Sequence, residues 1–239
     1  MTAPSASPSD CLPIGGVTGF SSVDWPGHLC ATVFVSGCPW KCGYCHNSGL
    51  KNADPDLKWS NVQQLLIKRR GFLDGVVFSG GEPTQYKEIG LAAREAHDMG
   101  FSVGLHTSGC NPENFEPLLK SSNVEWVGLD FKAPLAHYEE MTGRAGSAAS
   151  FAASLHILKN SGVRFEVRTT VASSIADPGS LERMGIELAG MGVRDWTLQQ
   201  CRTGEPLGGY VSTPPLSDLK EWAGAVSALT GLKVTVRGE

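Results

Sequence analysis

The stretch DGVVFSGGEPTQYKEIGLAAREAHDMGFSVGLHTSG, Asp74 to Gly109, holds one complete structural repeat. "DGVVFSGG" is a short apolar run rich in Val and Phe that stops at two glycines, the pattern of a buried strand. "YKEIGLAAREAHDMG" then spaces apolar residues as a helix does and ends at Gly100, where a left-handed residue closes the last turn. "FSVGLHTSG" returns to a strand. A strand, a helix and a second strand in this order make a parallel βαβ unit.

Outward from this unit the rhythm continues in both directions. "CATVFVSG" before it, and "EWVGLDFKA", "VRFEVRTTV" and "RDWTLQQC" after it, read as strands, with "LKVTVRG" as a further one. Between them "SNVQQLLIKRR", "NPENFEPLLKS", "SFAASLHILKNSG", "PGSLERMGIELAGMG" and "PLSDLKEWAGAVSALTG" read as helices. Ser60 is the expected cap of the first, and Gly162 and Gly192 follow the ends of two others. About six βα units with right-handed crossovers form an open doubly wound sheet or a partial barrel, and periodicity does not choose between them. In both, ligands bind at the carboxyl ends of the strands. Those ends carry "SGCPWKC", "SGGEPTQ", "HTSGCNP", "DFKAP", "RTTVASS" and "QQCRTG", so glycines, polar groups and cysteines converge on one rim.

Composition narrows the class. With 239 residues, 41% of them hydrophobic, the chain can bury the core of one large α/β domain. The expected division is a flexible tail over residues 1–13 and a single domain over 14–239. The net charge of -4, from 20 basic and 24 acidic residues without a block of one sign, points to no nucleic acid and no polybasic membrane patch. No window approaches ~18 consecutive apolar residues, and "MTAPSASPSD" lacks the parts of a signal peptide, so a cytoplasmic protein is expected. Seven cysteines in such a chain suggest metal or redox work rather than disulfides. Cys11, Cys30, Cys110 and Cys201 stand alone in sequence and read as ordinary thiols.

Cys38, Cys42 and Cys45 do not stand alone; they lie in "VSGCPWKCGYCHN", Val35 to Asn47. One reading adds His46 to make a structural zinc site, but zinc ligands usually come as two separated pairs, and adjacent Cys45 and His46 seldom reach one ion. The other reading is an iron–sulfur cluster with three corners held by one loop and one iron left without a protein ligand.

"CPWKCGYC" resembles the C-x3-C-x-aromatic-C motif of the radical S-adenosylmethionine (SAM) enzymes, with Tyr44 as the aromatic residue. The resemblance implies that Cys38, Cys42 and Cys45 hold a [4Fe–4S] cluster and that the amino and carboxylate groups of SAM chelate the open iron. An electron from a low-potential donor such as flavodoxin or ferredoxin then cleaves SAM to methionine and a 5′-deoxyadenosyl radical. "FSGGEP" is similar to the Gly-Gly-Glu-Pro motif of the same enzymes, implying that Gly80 and Gly81 let backbone approach the cofactor and that Glu82 meets its ammonium. "LDFK" resembles a segment of glycyl-radical-enzyme activases that lines the cofactor and peptide pocket, which nominates Asp130 and Lys132. "LHTSG" stands where those activases often have Asp-Thr-Asn-Gly. Thr107 and Gly109 match while His106 and Ser108 depart, so a cation site using the first aspartate is not carried over. Arg168 and Thr170, with Gln199 and Gln200, end the next two strands and are candidate contacts to ribose, carboxylate or adenine.

From Ile14 to Cys201, including "SSVDWPG", "CHN", "LHTSGCNP" and "GLDFKAP", the chain resembles activating proteins of the anaerobic ribonucleoside-triphosphate reductase. This implies an α/β fold, a partial (β/α)6-type barrel with parallel strands, that takes a hydrogen atom from a backbone glycine of the partner enzyme. A radical SAM enzyme acting on a small molecule or peptide shares every cofactor motif and is the alternative; a zinc-binding interaction module is the alternative of another class.

Overall fold

The computed structural model describes residues 7–51, 54, 55, 57–121, 123–172, 175–201 and 213–238. Eight strands lie in sequence order in one sheet: β1 Ile14–Ser21, β2 Cys30–Val35, β3 Gly75–Gly80, β4 Ser102–Thr107, β5 Trp126–Asp130, β6 Arg164–Val171, β7 Asp195–Gln200 and β8 Lys233–Arg237. β1 pairs antiparallel with β2, and every later pair is parallel. The crossovers contain α1 Trp59–Lys68, α2 Ile89–Asp98, α3 Pro112–Lys120, α4 Tyr138–Thr142, α5 Ser147–Ser161, α6 Pro178–Gly190 and α7 Leu216–Thr230. Six βα units from β2 to α7 therefore form the expected parallel partial barrel. "LKVTVRG" supplies the last parallel strand, and among the described residues β1 and β8 are the two edges.

The two faces of the sheet differ in chemistry. Val33, Val76, Phe78, Val103, Leu105, Val127, Leu129 and Val167 belong to the main core beneath the helices. Residues of opposite parity, Thr32, Ser79, His106, Asp130 and Arg168, form a polar interior, as the two-residue period of a strand requires. At its amino-terminal end the interior is plugged by Trp25, Cys30, Val77 and Trp126. Trp25 stacks on Trp126 with ring centroids 5.7 Å apart. A Cβ on Gly104 would come within 2.9 Å of the Trp25 ring, so this glycine makes room for the plug.

Two sequence expectations are corrected and one strand is added. Residues 7–13 pack on the domain instead of forming a free tail: Pro8–Cys11 is a 3-10 helix, Leu12 is buried, and the Ser9 hydroxyl donates to Glu95 on α2. Residues 1–6 lie outside the described residues. The first helix begins at Trp59, and Ser60 is inside it. The Ser60 backbone N–H donates to the Asp10 carboxylate at 2.8 Å, so the cap arrives from the amino-terminal segment. "IGGVTGFS" forms β1, a strand that its three glycines conceal from propensity. A Cβ on Gly15 would meet Ser36 Oγ at 2.5 Å, which explains one of them.

Candidate active site

At the carboxyl end of β2 the chain enters the cysteine segment, and short bonds close it on itself. Gly37 N–H donates to Leu50 C=O at 2.8 Å, and Leu50 N–H donates to Asn47 C=O at 3.0 Å. The segment is also tied to its neighbours: the Asn47 side-chain amide donates to Gly80 C=O at 3.1 Å, and Lys41 N–H donates to Thr142 C=O at the end of α4. Trp40 meets Tyr138 of α4 edge-on. Cys42 and Tyr44 are buried, while Cys38 and Cys45 are half-buried. Burial pushes the Cys38 thiol up to about 11, with the Glu82 carboxylate adding to it, and burial also raises Cys42. Metal binding to these thiols therefore releases protons.

Gly80 and Gly81 bring strand ends together. Gly80 has φ +108°, and a Cβ there would lie 2.5 Å from Val35 N and O; a Cβ on Gly81 would overlap Gly37 O. Gly81 N–H donates to Val35 C=O and Glu82 N–H to Gly37 C=O. The glycines thus seat β3 against the root of the cysteine segment, a backbone-to-backbone approach where the sequence suggested backbone-to-cofactor.

Glu82 is buried at 1% exposure and accepts five hydrogen bonds. Oε1 receives Thr84 N–H, the Thr84 hydroxyl and the Thr107 hydroxyl at 2.6 Å; Oε2 receives Ser108 N–H at 2.8 Å and the Ser108 hydroxyl at 2.5 Å. A carboxylate offers about four lone-pair sites, so Glu82 reaches a new cation only by releasing a hydroxyl. Ser108 and Thr84 were not singled out from sequence, where nothing marks a hydroxyl that will meet a carboxylate from another strand.

Asp130, Lys132 and Arg168 form one ionic network. Arg168 Nε and Nη2 donate to Asp130 Oδ1 at 3.0 and 2.8 Å, and Lys132 Nζ donates to Oδ2 at 3.0 Å. Burial opposes the Asp130 charge, but Arg168 and Lys132 outweigh it and hold the carboxyl well below its usual range. The guanidinium lies over Gly128, where a Cβ would approach to 2.6 Å. Beneath it His106 Nε2–H donates to the Asp24 carbonyl at 2.7 Å, and Nδ1 accepts from Ser79. Burial, reinforced by Arg168, lowers His106 to about 4, so the ring is neutral at pH 7. It is therefore committed to the interior.

The structure brings together two residues that look unrelated in sequence: His46 Nε2 and Cys201 Sγ lie 3.1 Å apart, joining the cysteine segment to the end of β7. His46 is thus engaged with a cysteine far along the chain. Among the described residues, no three His, Cys, Asp or Glu side chains gather as one ion would require. The buried side-chain polar atoms without a hydrogen-bond partner among the described residues are Ser36 Oγ, Tyr44 Oη and Lys51 Nζ. All three lie in residues 36–51, beside the cysteines. A segment with three thiols and concentrated unmet polar groups fits a bound cluster and cofactor.

The sequence pattern of the radical SAM superfamily matches residues 32–175. A protein of Methanocaldococcus jannaschii named as a glycyl-radical enzyme activating enzyme is 30% identical over 175 residues, covering 71% of this chain and 72% of the relative. The pyruvate formate-lyase-activating enzyme of Clostridium pasteurianum is 27% identical over 172 residues, 69% of this chain and 70% of that protein. In fold the chain resembles Streptococcus suis SuiB bound to S-adenosylmethionine, with TM-score 0.67 and 14% identity over 85% of this chain and 48% of the longer SuiB chain. No helix of the described residues is long and apolar enough to cross a membrane. The chain belongs to the radical SAM superfamily and to its glycyl-radical enzyme activase group, enzymes that use a [4Fe–4S] cluster and S-adenosylmethionine.

Proposed function

We propose that this chain installs a glycyl radical on an anaerobic ribonucleoside-triphosphate reductase, receiving its electron from flavodoxin or ferredoxin. The observation that carries the catalytic reading is the concentration of three thiols and all the partnerless buried polar side-chain atoms of the described residues in one segment at the barrel rim. Cys38, Cys42 and Cys45 would hold the cluster, and Tyr44 would support its loop. When bound, the cluster and SAM supply reductive cleavage to a 5′-deoxyadenosyl radical that removes a glycine hydrogen atom.

The chain's own residues bind, orient and exclude water. Glu82 receives the cofactor ammonium by exchanging a hydroxyl of Thr107 or Ser108, and Gly80 and Gly81 hold that carboxylate next to the cysteine segment. Asp130, Lys132 and Arg168 present a preorganised charged wall to ribose or carboxylate. The polar interior ends at the Trp25 and Trp126 plug, so a substrate glycine enters from the carboxyl rim. A near-attack distance of roughly 3–3.5 Å requires the partner to deliver that glycine on an extended loop.

The choice of the reductase rests on the sequence resemblance from Ile14 to Cys201. The "SSVDWPG" part of it builds the plug and the turn held by Ser21 and Asp24. Partner choice is therefore tested directly. Reduced protein, SAM and the host's anaerobic reductase should give a glycine-centred doublet in electron spin resonance together with 5′-deoxyadenosine. A doublet on a pyruvate formate-lyase instead, or cofactor cleavage stimulated only by a small metabolite, would overturn the assignment.

A further inference from the structure

Lys51 is absent from every motif, yet its buried Nζ has no hydrogen-bond partner among the described residues. It ends the 3-10 helix Ser48–Lys51, which folds directly out of the cysteine segment. Leu50 accepts from Gly37 N–H at 2.8 Å, so the residue before Lys51 is clamped to the residue before Cys38. Asn47 fixes the same turn to β3. Lys51 thus stands at the neck of the closed loop that carries all three thiols. Its Nζ is buried without a hydrogen-bond partner among the described residues. A buried ammonium without a hydrogen-bond partner is unfavourable, so this arrangement calls for a negative group close by.

The thiols indicate which group. The 3-10 helix that Lys51 ends leaves the cysteine segment directly, so the segment's three thiols, which can become anionic, are close to it in the chain. Lys132, another lysine at the site, is already matched by Asp130 at 3.0 Å. Lys51 has no such match among the described residues. A cluster held by three thiolates is anionic and gains one further negative charge on reduction, so an unmatched buried cation favours the reduced form.

We propose that Lys51 is the counter-charge of the iron–sulfur cluster, a positioning residue whose buried ammonium sets how readily the cluster accepts its electron. This rests on the assignment of the cluster to Cys38, Cys42 and Cys45, not on the identity of the partner enzyme. Because the charge is buried, its effect should persist at high ionic strength.

The test is a redox titration of the anaerobically reconstituted protein without SAM, followed by the spin-resonance signal of the reduced cluster, for wild type, Lys51→Met and Lys51→Arg. Lys51→Met should lower the ratio of reduced to oxidised cluster at fixed potential about tenfold or more, a shift of about 59 mV per factor of ten for one electron. The shift should survive added salt, and Lys51→Arg should stay close to wild type. Without iron, Lys51→Met should be at least as stable as wild type, since it removes an unpaired buried charge. An unchanged potential in Lys51→Met overturns the proposal, including the case where only SAM affinity falls, which would place Lys51 on the cofactor carboxylate. If Lys51→Met assembles no cluster, iron retention decides: retention in Lys51→Arg but not Lys51→Gln supports a charge role. Loss in all three, or a destabilised iron-free Lys51→Met, makes Lys51 a fold residue and overturns it. A missing glycyl doublet alongside the expected potential shift would count against the reductase and leave Lys51 in place.

Discussion

The rim formed by β3 to β6 and the cysteine segment after β2 lie side by side but are finished to different degrees. On the rim, Glu82 has five donors and Asp130 is matched by two cations, so its polar groups are satisfied by the chain itself. In the cysteine segment Ser36, Tyr44 and Lys51 each bury a polar atom that no described residue meets. The rim is a preorganised wall, whereas the proposed cluster and cofactor would supply the partners that the segment lacks. Substitutions should therefore separate the two regions: rim changes should weaken the iron-free fold, and segment changes should weaken the loaded protein alone.

The largest effect is expected in the segment. Replacing Cys38, Cys42 or Cys45 by Ala should abolish a stable [4Fe–4S] centre by iron and sulfide analysis, because two thiolates do not retain a cubane. The Cys38 and Cys45 variants should unfold in denaturant close to wild type when iron-free, and Cys11→Ala, at an exposed thiol, should keep its cluster. Strong destabilisation of the iron-free Cys38 or Cys45 variants would break the contrast.

On the rim, Asp130→Ala leaves Arg168, only 5% exposed, without its carboxylate. Removing one partner of a buried pair typically costs about 3–5 kcal/mol, and the half-buried Asp130 places this one toward the lower end. Denaturant unfolding of the iron-free chain measures it, and a loss below about 1 kcal/mol would reduce the network to a surface ion pair. Glu82→Ala should cost about 1–3 kcal/mol by stranding the Thr107 and Ser108 donors. It should also weaken SAM binding, whereas Glu82→Gln should keep much of the stability and lose the ammonium contact. Equal SAM affinity in both variants and wild type would confine Glu82 to the fold.

The smallest effect at neutral pH belongs to His106. Its folded-state value of about 4 lies below the ordinary 6.5, so the unfolded chain binds the proton more readily. The stability from its neutral ring is complete above pH 6.5 and declines as pH falls from 6.5 toward 4, by roughly 1.4 kcal/mol per unit. His106→Gln, which can donate to Asp24 and accept from Ser79, should flatten that part of the curve. An identical pH profile in the variant would remove His106 as its source.

What could be read beforehand divides along the same line. Unbroken runs such as "GVVFSG" and capped amphipathic helices showed the parallel units because strand and helix periodicity are local. The resemblance that implies a cluster rests on three thiols in one loop, and their spacing is local too. β1 is hidden behind three glycines, and one of them, Gly15, answers to contacts with Ser36 and Leu50 that only folding creates. The Thr107 and Ser108 donors of Glu82, the Cys201 thiol beside His46 and the capping of α1 by Asp10 join residues far apart in the chain, and no local signal marks them.

The most direct measurement of the central claim is the spin-resonance spectrum of the reduced, anaerobically reconstituted protein before and after SAM. A cluster on Cys38, Cys42 and Cys45 with its remaining iron open to the cofactor should give a [4Fe–4S] signal that changes on SAM addition, and Cys42→Ala should lose it. A signal unchanged by SAM, or a full cluster in Cys42→Ala, would contradict the account.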